Sequence, residues 1–137
     1  MKVLLDTNIL LDALQERQPF DTDAKEILRR GQSGDLECCF TANAATDIFY
    51  LYSKARNVKQ ARTALEFLLG RYSVVDVTHG DCTHALKSEI VDFEDALVAE
   101  CAKKAGVDYI VTRDDEFLRS RSPIKVITTN ELLALLG

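Results

Sequence analysis

"MKVLLDTNILLDAL" (1–14) opens the chain. Val3, Leu4 and Leu5 form an unbroken apolar run, as expected of a short strand covered on both faces, and the run stops at Asp6. From Asn8 to Leu14 the apolar spacing becomes helical, with Thr7 or Asn8 placed to cap the helix. Residues 2–6 are therefore expected to be a buried strand running directly into a helix, with a carboxylate at the junction.

The alternation continues outward from this stretch. Pro19 and Asp21 open a helix with Ala24, Ile27 and Leu28 on one face, ending near Gly31 and Gly34. "LECCF" (36–40) reads as a strand. Thr41 or Asn43 starts a helix in which Ala45, Ile48, Phe49 and Tyr52 follow the i, i+3, i+4, i+7 rule, and Asn57 breaks it. A helix over 58–69 groups Ala61, Ala64, Leu65 and Leu68, with Gly70 expected as its C-terminal cap. Tyr72–Val77 reads as a strand and Asp81–Lys87 as a helix. From Phe93 to Ala105 the apolar residues run nearly all round, so this helix should lie deep in the fold and end at Gly106. "DYIVT" (108–112) and Ile124–Ile127 are further strands, and Thr128-x-x-Glu131 is a capping box for the last helix.

Strands alternating with helices imply parallel pairing, because a parallel pair needs a crossover and a helix supplies it. The expected class is α/β, a single domain over residues 1–137 with one open sheet covered on both faces. In such sheets sites form beyond the carboxyl ends of the strands. Asp6 then stands on the functional rim.

Composition narrows the function. At 137 residues with 47% hydrophobic and 28% charged residues, the chain suits one soluble globule, since halves would bury too little. It carries no stretch of membrane-spanning length and no secretory signal pattern, so a cytoplasmic protein is expected. The net charge of -5 argues against a general phosphate-backbone binder with a basic surface. Lys54, Arg56, Lys59 and Arg62 form one basic cluster, most simply a solvated helix face. Adjacent Cys38 and Cys39 should point to opposite faces of a strand, and with no C-x-x-C spacing the four cysteines are expected to be reduced. His79 and His84, five apart with no third ligand nearby, do not suggest zinc, and no Ser or Cys has an identifiable base partner.

The acids are more informative. Asp114, with Asp115 behind it, follows a strand just as Asp6 does. Asp95 lies in the first turn of the most buried helix, three residues after Asp92, and Asp47 lies at the edge of a buried helix face. Each has an ordinary explanation as a cap, a turn former or a solvated charge. Together, two strand ends terminating in carboxylates plus an acid at the start of a buried helix suggest one pocket. Crowded carboxylates repel, and either take up protons or are neutralised by a cation. Oxygen-only donors suit Mg²⁺ or Mn²⁺, which can activate water and screen a phosphate; phosphodiester hydrolysis is the reaction class that uses both.

Three segments, "LLDTNILLDAL", "DFEDALVAECAKKAG" and "DYIVTRDDEF", resemble in order and spacing the PIN-domain family, in particular the small VapC-type toxins of toxin–antitoxin pairs. The resemblance covers essentially the whole chain. It implies a Rossmann-like parallel sheet of order 3-2-1-4-5 and a Mg²⁺- or Mn²⁺-dependent ribonuclease. It also implies that Asp6, Asp95 and Asp114 are metal-holding acids, with Asp47 where the family usually carries Glu and a subset carries Asp. Asn8 and Thr112 would position carboxylates or a bound water, with Asp92 and Asp115 in support. "TRDDEF" is tighter than the family's usual pattern, so the choice between Asp114 and Asp115 stays open.

The expected function is thus a metal-dependent endoribonuclease, the toxin of a pair whose antitoxin covers or invades the acidic pocket. The alternative is a PIN-fold RNA-binding or interaction module without useful catalysis, because the usual Glu is missing. A phosphatase of the haloacid-dehalogenase type would need a second Asp where Asn8 stands. The family commonly dimerises, and Phe49, Tyr50, Leu51 and Tyr52 offer more apolar surface than one helix face can bury, so a homodimer through that helix is expected.

Overall fold

Five short strands make one wholly parallel sheet in the computed structural model, which describes residues 1–137. In chain order they are β1 (Lys2–Leu5), β2 (Glu37–Thr41), β3 (Ser73–Val75), β4 (Tyr109–Val111) and β5 (Val126–Ile127), arranged 3-2-1-4-5. The eight helices are α1 (Thr7–Leu14), α2 (Asp21–Ser33), α3 (Ala42–Ala55), α4 (Val58–Arg71), α5 (His79–Leu86), α6 (Phe93–Ala105), α7 (Asp115–Leu118) and α8 (Thr129–Leu136). None is long and apolar enough to cross a membrane.

The strands are apolar throughout because both faces are covered, and their two-residue period divides the core. Val3 and Leu5 of β1, Cys38 and Phe40 of β2 and Val111 of β4 enter one layer, with Ile27 and Leu28 of α2, Ile48 of α3 and Leu132 of α8. Leu4, Cys39 and Ile110 enter the other, against Ala96, Ala99 and Ala102 of α6. The near-continuous apolar surface of α6 follows from this placement: Ala96 through Ala99 are all buried. Cys38 and Cys39 do point to opposite layers, and all four cysteines are free. Burial pushes the Cys38 thiol up to about 12 and those of Cys39 and Cys101 to about 11, so none is an activated nucleophile.

Two caps differ from the sequence expectation. Asp6, not Thr7 or Asn8, caps α1: its backbone is extended, and its carboxylate accepts the Thr7 N–H at 2.9 Å. Gly70 lies inside α4, which ends at Tyr72 instead. Tyr72 leaves the helix in extended conformation, buries its ring and donates its hydroxyl to the Leu28 carbonyl at 2.9 Å, so no left-handed residue is needed there. Gly34 and Gly106, both left-handed, do end α2 and α6.

Strand β1 pairs with β2 on one side, Val3 opposite Cys38, and with β4 on the other, Leu4 opposite Ile110. The chain runs outward from β1 through β2 to β3, then returns to build β4 and β5 on the opposite flank. The order therefore reverses between β1 and β4, where a parallel sheet opens a crevice at its carboxyl edge.

Candidate active site

A cleft of about 290 Å³ occupies that crevice. Asp6 arrives at its floor from β1, Asp92 and Asp95 from the start of α6, and Asp114 from the turn after β4; Asn8 and Arg17 also line it. Sequence reasoning missed Glu94, which sits in the wall between Asp92 and Asp95.

Three helices, α1, α6 and α7, begin around the cleft, and an aspartate caps each. Asp92 accepts the Asp95 N–H at 2.9 Å, and Asp114 accepts the Glu116 N–H at 3.0 Å, as Asp6 accepts that of Thr7. The capping explanation and the pocket explanation thus apply to the same carboxylates. The positive helix ends partly offset the repulsion among them.

The Thr112 hydroxyl joins the two strand ends. It donates to Asp6 Oδ2 at 2.8 Å and accepts from Asn8 Nδ2 at 3.1 Å and from the Asp114 N–H at 3.2 Å. Asn8 Nδ2 also reaches Asp6 Oδ2 at 3.4 Å. Asp6 is therefore held by partners from α1 and from the end of β4, and Thr112 is fully buried.

None of these acids forms an ion pair with a lysine or arginine, and their ionisation shows the cost. Burial, then the neighbouring Asp92, Asp6, Asp114 and Glu116, push Asp95 up to about 7. Glu94 rises to about 7 through burial, then through Asp47, which faces it across the cleft wall, with Asp6 and Asp92 adding repulsion. Asp6 is also raised, first by burial, then by Asp114 and Asp92, against the lowering effect of its Thr112 and Thr7 hydrogen bonds. Asp47, half-buried on α3, thus reaches the cluster through Glu94 without lining the cleft itself. Asp115, exposed at the first position of α7, does not line it either.

No three Asp, Glu, His or Cys side chains stand close enough together to ligate one ion directly. The donor chemistry nonetheless fits a hard divalent cation. All the groups are oxygen donors, their charge is unmatched, and Mg²⁺ keeps several waters and needs only one or two direct carboxylates.

A second charged cluster, one acid with two arginines, adjoins the cleft with opposite character. Asp12, buried in α1, accepts Arg113 Nε at 2.6 Å and Arg113 Nη2 at 3.0 Å, while Arg17 Nη1 stands at 3.9 Å. The Arg113 guanidinium lies 4.1 Å from the Phe20 ring centroid. Only the adjacency of an acid to the apolar face of "NILLDAL" hinted at Asp12, and nothing in the sequence announced its partner 101 residues on.

Residues 2–116 match the PIN domain family model, and the chain belongs to that family. Among solved structures, it is similar to the DNA-bound VapBC of Salmonella typhimurium (TM-score 0.72, 20% identity, 94% of this chain and 98% of that chain covered). It is similar also to VapBC2 of Rickettsia felis bound to a promoter DNA fragment (TM-score 0.70, 20% identity, 93% and 98% covered). A third is VapC20 of Mycobacterium tuberculosis, described as a toxin cleaving the sarcin-ricin loop (TM-score 0.70, 16% identity, 84% and 92% covered). At these identities the likeness establishes the fold. No curated protein matches the chain in sequence.

Proposed function

We propose that this PIN domain is a Mg²⁺- or Mn²⁺-dependent endoribonuclease, the toxin of a toxin–antitoxin pair. The observation that carries the reading is the unpaired crowd of Asp6, Asp92, Glu94, Asp95 and Asp114 around one cleft at the sheet's switch point. Family membership and the VapBC complexes among similar structures support it, and a protein antitoxin is the partner they suggest.

Asp6, Asp95 and Asp114 would hold the cation, in part through the waters it keeps. When bound, it supplies charge neutralisation at the phosphate and a more acidic water for hydrolysis. Asn8 and Thr112 fix the orientation of Asp6. Glu94, with its carboxyl near 7 and Asp47 against it, is poised to accept a proton at neutral pH and release it again. That gives Asp47 a role through Glu94 in place of direct ligation. Exposed Tyr50 and Leu51 on α3 are the surface we assign to a homodimer; a monomeric mass at micromolar concentration removes that assignment.

The test is cleavage of RNA by the purified protein. EDTA should abolish it and Mn²⁺ restore it. An intact fold that cuts no RNA at enzyme excess with either ion favours the non-catalytic module.

A further inference from the structure

The cleft would have to draw a polyanion toward five carboxylates. Among its ten lining residues only Arg17 is a cation. Its position is fixed by the backbone: the Arg17 N–H donates to the Asp12 carbonyl at 3.1 Å, and its own carbonyl accepts the Phe20 and Asp21 N–H groups at 2.9 and 3.0 Å. Glu16, at a left-handed φ of 52°, makes the turn that brings it there. The side chain is anchored too, Nε donating to Gln15 Oε1 at 2.9 Å.

Its charge is nevertheless left over. Asp12 gives both oxygens to Arg113 at hydrogen-bond distance, so one carboxylate faces two guanidinium groups and a single positive charge remains on the Arg17 side. No cleft acid pairs with Arg17, although all are neighbours in the same wall. A planar guanidinium held without a full counter-charge, partly exposed at the rim of an acidic cleft, matches a phosphate oxygen in charge and geometry.

We propose that Arg17 grips a backbone phosphate of the RNA strand beside the bond to be cut, and so sets the strand's path across the acids. The proposal rests on the nuclease reading of the cleft. Asp12 and Arg113 act as positioning residues, Arg113 satisfying Asp12 so that Arg17 stays free.

The experiment measures binding of a short unstructured RNA oligonucleotide by the full chain in a cleavage-dead Asp6→Asn background, with Mg²⁺, over a range of salt. Losing one phosphate contact should make the slope of log K against log salt shallower by about 0.7 for single-stranded RNA. Arg17→Ala should show that change and Arg17→Lys should keep most of the slope, while Arg29→Ala, on exposed α2, should leave it unaltered. An unchanged slope in a folded Arg17→Ala protein overturns the proposal. If that variant fails to fold, Arg17→Gln, which retains the side chain's hydrogen-bonding reach, decides by the same slope. An unsubstituted chain, with Asp6 intact, that binds RNA yet never cuts it with Mn²⁺ defeats the nuclease reading, and the slope still decides on Arg17. A parent with no measurable RNA binding overturns both.

Discussion

Asp12 and Asp95 are both buried, 1% and 8% exposed, and both lie near the carboxyl edge of the sheet. Asp12 meets a bidentate arginine, and its charge is matched inside the fold. Asp95 meets Asp92, Asp6 and Asp114, and its carboxyl is driven up to about 7. The molecule therefore has an arginine available within this region and spends it on the acid that carries no cleft chemistry. The acids at the crevice are left in mutual repulsion, a cost that makes sense where a bound cation recovers it.

That contrast breaks most visibly by neutralising one acid on each side. Asp6→Asn should reduce RNA cleavage about a thousandfold, the rate equivalent of several kcal/mol of lost charge stabilisation, while thermal melting stays level or rises. A fall in melting temperature with cleavage intact would reduce Asp6 to a helix cap. On the other side, Arg113→Ala strands a buried carboxylate and should cost about 3 kcal/mol in chemical denaturation, the low end for such breaks because Arg113 is partly exposed. Adding Asp12→Asn to that variant should recover most of the loss; no recovery would mean that Arg113 stabilises through Phe20 alone.

pH sharpens the same comparison. Folded Asp95 and Glu94 hold their protons more tightly than the unfolded chain does, with values near 7 against ordinary values of 3.8 and 4.5. Their contribution to stability is favourable below about pH 4 and is lost as pH rises toward 7, opposite in sign to that of a salt-bridged carboxylate. Metal-free protein should lose melting temperature across that window, and Mg²⁺ should restore it at pH 8 but not at pH 4.5. Equal Mg²⁺ stabilisation at both values would place ion binding elsewhere. The smallest effect is expected from Asp47→Asn. Removing that neighbour's charge should lower the Glu94 value, seen by NMR titration of metal-free protein, and move the acid limb of the cleavage profile to lower pH. An unmoved Glu94 would detach Asp47 from the site.

Much of this was legible in the chain. The all-round apolar α6 and the two strands ending in carboxylates are local patterns, so α/β topology and the meeting of Asp6, Asp95 and Asp114 could be anticipated. The cap at Gly70 failed because the ring of Tyr72, once drawn into the core, dictates how α4 ends. Glu94 was passed over because helical phase alone turns it toward solvent; only the approach of α3 brings Asp47 against it. Asp12 with Arg113 belongs to tertiary pairing, which no window along the sequence contains.

The Thr112 hydroxyl on Asp6 spans 106 positions of sequence. Since β1 is synthesised well before β4, the cleft is assembled only after Thr112 and Asp114 have emerged. A ribosome-bound fragment ending before Thr112 has the first acid but neither the hydroxyl that orients it nor the third carboxylate. The acidic crevice thus stays incomplete until the strand on its far flank has been made.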